Sequence, residues 1–301
     1  VRGKHGSGKR GSTRRRIKPS TVLRAARLGI WGLMILYPFY NVVMVSFMTE
    51  KEYVRIAFVL FPKELTLDAY MRVFSNARIW SGYRSTLLIV ALGVPFNLFL
   101  TVTLAYALSK KSFPGKRFFN FLVVFTMYFS GGVIPLYLLV KDLGLMGSLA
   151  SVIVTYGVSV YYMIIIKNYF LGIPDSLREA AQIDGANDLV MMLRICLPMS
   201  TPVLATFLLF FLVDRWNSWY EGMLYLTDAK KWPLQLVLRE IVATSQKTEP
   251  GMAMGLLAKR ENFGMGIKMA SVVVTMAPIM VAFPFLQKYF MRGMTMGAVK
   301  E

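Results

Sequence analysis

Ionisable and flat aromatic side chains set among apolar runs are where this sequence could do chemistry. Lys167, Asp214, Arg215 and Glu221 stand in or beside such runs. A charge at membrane depth is costly and marks a functional or a paired site. Asp214 and Arg215 are adjacent, so on a helix they point about 100° apart and do not face one another. Each therefore pairs elsewhere, lines a wet cavity or meets a ligand directly. Lys167 is expected to extend its ammonium to the cytoplasmic interface. Within the runs there is no paired carboxylate, no nucleophile with a base and no metal-ligand spacing. No catalytic residue and no metal site are expected, and the chain reads as a non-enzyme. His5 and Cys196 are its only His and Cys, which leaves no zinc set and no internal disulfide.

Two stretches carry recognition chemistry instead. In Trp216-Asn217-Ser218-Trp219-Tyr220, aromatic faces alternate with amide and hydroxyl groups. That combination suits sugars, whose C–H faces stack while their hydroxyls need hydrogen bonds. Asn97, Asp214, Trp216, Asn217, Trp219 and Tyr220 are the candidate substrate-pathway residues. The competing account of the aromatics is a belt at the outer membrane interface. The second stretch is Glu179-Ala180-Ala181-Gln182-Ile183-Asp184-Gly185-Ala186, closed by Leu197-Pro198. It reads as two short helices around a bend, in which Ser176 and Glu179 form a capping box. The alanines leave a low face for close approach, and Gly185 takes the left-handed conformation that ends the first helix. Asn187 or Asp188 caps the second, and Pro198 stops it. An ordinary amphipathic helix pair in a loop is the plain alternative.

The elements that must position these residues are membrane spans. Hydrophobic residues make up 55% of the chain, and several runs approach the roughly 20 residues needed to cross a hydrocarbon core. The class is therefore all-α integral membrane, with six spans at about 28–48, 85–109, 118–140, 148–170, 199–222 and 269–291. Pro95, Gly131, Gly132, Pro135, Pro278 and Pro284 predict kinks within them. The formal charge of +19 is concentrated at the N-terminus and in short loops, which reports orientation and anionic lipid rather than nucleic acid. The connection Lys110-Lys111-Ser112-Phe113-Pro114-Gly115-Lys116-Arg117 is half cationic with no acid. Both termini, this connection and the 171–198 loop are placed in the cytoplasm, and loops 49–84 and 223–268 outside. Residues 1–27 form a basic, largely disordered arm, and 292–301 a cytoplasmic tail. Gly3-Lys4-His5-Gly6-Ser7-Gly8-Lys9-Arg10 approaches a P-loop. Arg10, however, stands where Ser or Thr must hold magnesium, and no strand precedes it.

With these residues laid out, the chain resembles the membrane (permease) subunits of carbohydrate-uptake ABC importers of the MalG-like, maltose type. The resemblance runs from about residue 28 to the end. It rests on Glu179-Ala180-Ala181-x-x-Asp184-Gly185-Ala186 followed by Ile195-Cys196-Leu197-Pro198, between the fourth and fifth spans. Tyr106-Ala107-Leu108-Ser109, Phe113-Pro114-Gly115, Gly131-Gly132-Val133-Ile134-Pro135, Trp216-Asn217 and Trp232-Pro233-Leu234-Gln235 agree as well. The ending Gly293-Met294-Thr295-Met296-Gly297-Ala298-Val299-Lys300 is similar to a subgroup importing alginate or pectin-type oligosaccharides. Leu189, Met191 and Met192 depart from the aromatic residues common in the second loop helix. The resemblance implies a type I importer fold whose 171–198 loop is a coupling helix set in a groove of an ATPase subunit. Glu179, Ala180, Ala181, Asp184, Gly185, Ala186, Leu197 and Pro198 would be the docking residues. It also implies a second homologous permease, two ATP-binding subunits holding ATP and Mg, an extracytoplasmic solute-binding protein and an oligosaccharide substrate. Arg239, Lys247, Lys259, Arg260 and Lys268 are candidates for contacting an acidic substrate or partner. An ion-coupled secondary transporter of a polar solute is the alternative. It predicts repeated half-helix sites and intramembrane acids, for which no internal repeat or acid cluster is found.

Overall fold

The computed structural model describes residues 19–55, 60–244 and 264–298. It is mostly helical, and among the described residues the extended contacts amount to one isolated bridge between Met48 and Leu65. The P-loop-like segment, Lys247, Lys259 and Arg260 lie outside the described residues. The helices are α1 (Pro19–Ser46), α2 (Glu50–Arg55), α3 (Asp68–Ser75) and α4 (Ala77–Ser109). They continue with α5 (Lys116–Tyr128), α6 (Val133–Asp142), α7 (Leu149–Val154), α8 (Val160–Leu171) and α9 (Asp175–Ile183). Then come α10 (Asp188–Met191), α11 (Leu197–Met199), α12 (Thr201–Trp216), α13 (Tyr220–Tyr225), α14 (Leu234–Thr244) and α15 (Gly264–Ala298).

Among the described residues, three helices are individually long and apolar enough to cross a membrane: α1 from Leu23, α4, and α15 up to Pro284. The other expected spans are interrupted. Residues 118–140 are not one kinked rod, because α5 and α6 meet at 114°. The Gly131-Gly132 pair permits this reversal, with Gly132 at φ 88. The 148–170 run divides into α7 and α8 around an irregular segment at 155–159. Segment Asp188–Met199 joins α12 at 85°. Pro198 does not stop the helix as its ring chemistry predicted. The chain instead widens into a π turn at Met192–Cys196 and passes through Pro198. A proline ring crowds the carbonyl of the preceding turn, and the wider turn just upstream is where that crowding is relieved. The bend comes at Ser200.

α4 is the hub. Its N-terminus is capped by Asn76, whose side chain accepts from the Arg78 N–H at 3.0 Å, and α3, α7, α8, α12 and α14 all pack on it. One core joins α4, α8, the π turn and α12 through Leu108, Ile166, Phe170, Met191, Cys196 and Phe207. A second joins α3, the first half of α4, α14 and α15 through Val73, Ile79, Leu234, Val237 and Ala270. α14 belongs to the stretch expected to be an outer loop, yet it is packed into the bundle. Leu234 donates its N–H to Thr86 Oγ1 at 2.9 Å, and a Cβ on Gly82 would meet the Leu234 Cα at 3.1 Å.

Candidate functional site

The Glu179 stretch folds into a knuckle at one end of the bundle. Its capping box is not formed: α9 starts two residues earlier than a Ser176 cap requires, at Asp175, with Pro174 at the cap position and no side-chain cap. Asp175 sits in the first turn, where a carboxylate complements the helix dipole, and pairs with Lys111 Nζ at 2.6 Å. The Lys111 ammonium holds its carboxyl below the usual range, with Arg178 adding to the effect. The far end of α9 is a Schellman turn. Gly185 stands at φ 80, Gly185 N–H donates to Gln182 O at 3.0 Å, and Ala186 N–H to Ala181 O at 2.9 Å. Asn187, rather than Asp188, caps α10, its side chain accepting from Val190 N–H at 2.9 Å.

That leaves Asp188 free to fasten the knuckle to α4. Its carboxylate takes the Lys110 ammonium at 2.5 Å and its carbonyl takes the Tyr106 hydroxyl at 3.1 Å. Arg178 donates to the carbonyl of Phe170 in α8. The second half of the loop is planted in the core, with Met191 and Cys196 buried. Of the positions where the sequence departs from the aromatic pattern, Met191 and Met192 are buried and Leu189 is exposed, and unbranched Met fills such irregular gaps. The outward face shows Glu179, Ala180, Asp184, Gly185 and Pro198 exposed, Ala181, Ala186 and Leu197 half-buried, and Ile183 86% exposed. An aliphatic side chain so bare beside a carboxylate is the composition of a contact surface.

The second assembly is a cavity of about 490 Å³ at the end of α12, lined by Asp214, Asn217, Trp219, Tyr220 and Glu221 with Tyr156 and Ser159 opposite. Asp214 accepts from the Tyr162 hydroxyl at 3.0 Å. Asn217 accepts from Gln235 Nε2 at 3.2 Å, and the Arg239 guanidinium lies 3.7 Å over the Trp219 ring. Two expected pathway residues are elsewhere. Trp216 is packed in the core against Tyr83, ring centroids 6.4 Å apart, and is 4% exposed. Asn97 is fully buried and works with Arg215 as a clamp. Arg215 Nε donates to Asn97 Oδ1 at 2.8 Å, Nη1 to Val152 O at 2.8 Å, and Nη2 to Tyr156 O at 2.7 Å and Ile153 O at 3.3 Å. Asn97 Nδ2 donates to the carbonyls of Tyr156 and Gly157, both at 2.8 Å. Together they satisfy the carbonyls that α7 leaves open where it breaks, and the cation complements a helix C-terminus. Lys167 does not extend freely to the interface either: its ammonium donates to Asn120 Oδ1 at 2.7 Å, joining α8 to α5.

A profile describing the inner membrane component of binding-protein-dependent transport systems matches residues 85–296, from the first third of α4 to near the end of α15. The chain belongs to this family of transport permeases. It is therefore the non-catalytic membrane subunit of an ABC transporter, with ATP hydrolysis on a separate subunit, and it has the type I permease fold. Protein LplC of Bacillus subtilis strain 168 is 41% identical over 274 residues, covering 91% of this permease and 92% of LplC. The polygalacturonan/rhamnogalacturonan transport system permease protein YtcP of the same organism is 39% identical, covering 90% and 94% of the two chains. A chain in the crystal structure of a bacterial ABC transporter involved in import of the acidic polysaccharide alginate superposes with a TM-score of 0.82. It is 31% identical over 91% of this permease and 99% of that chain.

Proposed function

We propose that this permease carries an oligosaccharide derived from an acidic polysaccharide across the cytoplasmic membrane, and that the 171–198 knuckle docks on an ATP-binding subunit. The observation that carries the docking assignment is the division of the knuckle. Met191 and Cys196 lock one half into the core of α4, α8 and α12, while α9 presents Glu179, Ala180 and Ile183 outward. A surface so rooted moves with the bundle rather than flexing as a loop. Closure of two ATPase subunits around ATP and Mg then rocks the spans and opens the cavity alternately to each side. Glu179 makes the charge-assisted contact to a cation on the ATPase.

The assembly contains a second, homologous permease and an extracytoplasmic solute-binding protein. The Lys110–Arg117 connection lies on the cytoplasmic side with the knuckle and both termini, following its excess of cations. Tyr156, Trp219 and Tyr220 offer ring faces to the sugar, Asp214, Asn217 and Glu221 accept from its hydroxyls, and Arg239 brings a cation to the rim for a uronate. Relatives named for polygalacturonan and alginate support the acidic class. Purification of the chain from its own membrane tests the assignment. Co-elution with an ATP-binding subunit, and hydrolysis stimulated by uronate-loaded binding protein, are expected. Full transport activity of the chain alone would refute it.

A further inference from the structure

Beyond the polar cavity lies a second chamber of about 590 Å³ that shares Tyr156 and Tyr220 with it. Both volumes fall within the roughly 300–1,000 Å³ typical of small-molecule sites. The second chamber lies against the reversal between α5 and α6, walled by Phe129, the Ser130-Gly131-Gly132 backbone and Tyr225. α5 has 13 residues, so at about 1.5 Å per residue the reversal lies some 20 Å along it from Lys116, inside a core roughly 30 Å thick. Irregular backbone at such depth is tolerated where it lines a polar space. α6 begins there without a side-chain cap, on Gly132 in the left-handed region. An independent observation points the same way. Tyr225 is completely buried, and its hydroxyl, beside Thr155, has no partner in hydrogen-bond geometry.

We propose that this chamber is a second sugar subsite, holding the next residues of the oligosaccharide whose neighbours occupy the polar cavity. The proposal rests on the oligosaccharide reading above. Phe129, Tyr156 and Tyr220 stack on pyranose C–H faces. The glycine backbone and the Tyr225 hydroxyl hydrogen-bond the ring hydroxyls, and the absence of side chains on Gly131 and Gly132 keeps the chamber open.

The test is uptake of digalacturonate and pentagalacturonate by the complete importer reconstituted in liposomes, comparing wild type with Gly131→Leu and Tyr225→Phe. A Cβ at Gly131 meets nothing closer than Pro135 at 3.7 Å, so the larger side chain fills the chamber without straining the backbone. Gly131→Leu is expected to raise KM for the pentamer at least about tenfold more than for the dimer. Tyr225→Phe should do so by about 2- to 10-fold, the loss of one neutral hydrogen bond. Equal losses for both lengths, or no loss for either, would overturn the subsite while leaving the transport assignment intact. Reduced co-purification of the second membrane subunit would overturn it too, by showing that the partner fills the chamber. Uptake of neither galacturonate by the wild-type importer would overturn the uronate reading and the subsite with it.

Discussion

Replacing Arg215 with Met isolates the clamp at the break between α7 and α8. The guanidinium is 5% exposed and makes four hydrogen bonds, none to a carboxylate. Two effects oppose one another. Removing a buried cation recovers a desolvation cost of several kcal/mol. It also strands Val152 O, Ile153 O and Asn97 Oδ1, each costing about 1–3 kcal/mol when buried without a donor, and gives up the charge–dipole term at the end of α7. Tyr156 O keeps its bond from Asn97. The stranded groups prevail, because the native site has already offset desolvation with four bonds and Met supplies no donor. Water reaching in from the adjoining cavity recovers part of the loss. The net destabilisation is about 2–4 kcal/mol. For a chain of this size that is a fall in Tm of roughly 5–15 °C. Arg215→Lys, which keeps a point charge but cannot span three carbonyls, falls between. Thermal unfolding of the detergent-solubilised importer reads the difference. A Met variant within about 2 °C of wild type, or more stable than it, would refute the reasoning.

At the knuckle, Glu179→Lys is expected to abolish substrate-stimulated ATP hydrolysis in a normally assembled complex, and full stimulation would remove Glu179 from the contact. Gly185 stands at φ 80, where other L-residues pay about 1–2 kcal/mol and Asn less, so Gly185→Asn should retain more coupled hydrolysis than Gly185→Val. Equal activities would show that the Schellman turn does not set the loop. Lys110→Asp should raise the ATP consumed per sugar transported, and the swap Lys110→Asp with Asp188→Lys should restore it in part. The interaction in that double-mutant cycle is about 0.5 kcal/mol, and zero would dismiss the tether. Asp175 is depressed by Lys111, so this tether is present above the unfolded carboxyl value of about 3.9 and lost as pH falls through the lower folded value. Carboxyl carbon titration should place Asp175 below that value, and Lys111→Ala should return it. A wild-type midpoint at or above about 3.9 would contradict the pairing.

The knuckle was legible because its signals are local. Gly185 can end a helix, and Asn187 can begin one, whatever surrounds them. Its tethers were not legible: Lys110 and Asp188 are 78 positions apart, and a cation-rich connection reads first as a topology signal. The same holds at the cavity. The Trp216–Tyr220 run announces recognition chemistry, but α12 ends at Trp216, so Trp216 enters the core with the helix while Trp219, beyond its end, lines the cavity. Asn97 looked like a pathway group because a polar side chain in an apolar span has few other uses. Its partners are Arg215 and the carbonyls of Tyr156 and Gly157 in the irregular segment beyond α7, a need created only where that helix breaks. The π turn at Met192–Cys196 has no periodicity of its own and leaves Pro198 looking like a terminator.

The two sites are mechanically joined by α8. One end packs against the knuckle, where Phe170 shares a core with Met191 and Cys196 and its carbonyl receives Arg178. The other end begins three residues beyond Gly157, whose carbonyl Asn97 holds. Between them α8 is 12 residues, a rod of about 18 Å. Tyr162 lies near its cavity end and bonds Asp214 on α12. A displacement of the knuckle is therefore delivered to the cavity wall without passing through a loop. The break at 155–159 is where it stops being rigid, and Arg215 and Asn97 determine how far α7 must follow. Loosening the clamp should leave ATP hydrolysis stimulated while lowering the sugar moved per ATP, whereas damage at Glu179 removes the stimulation itself.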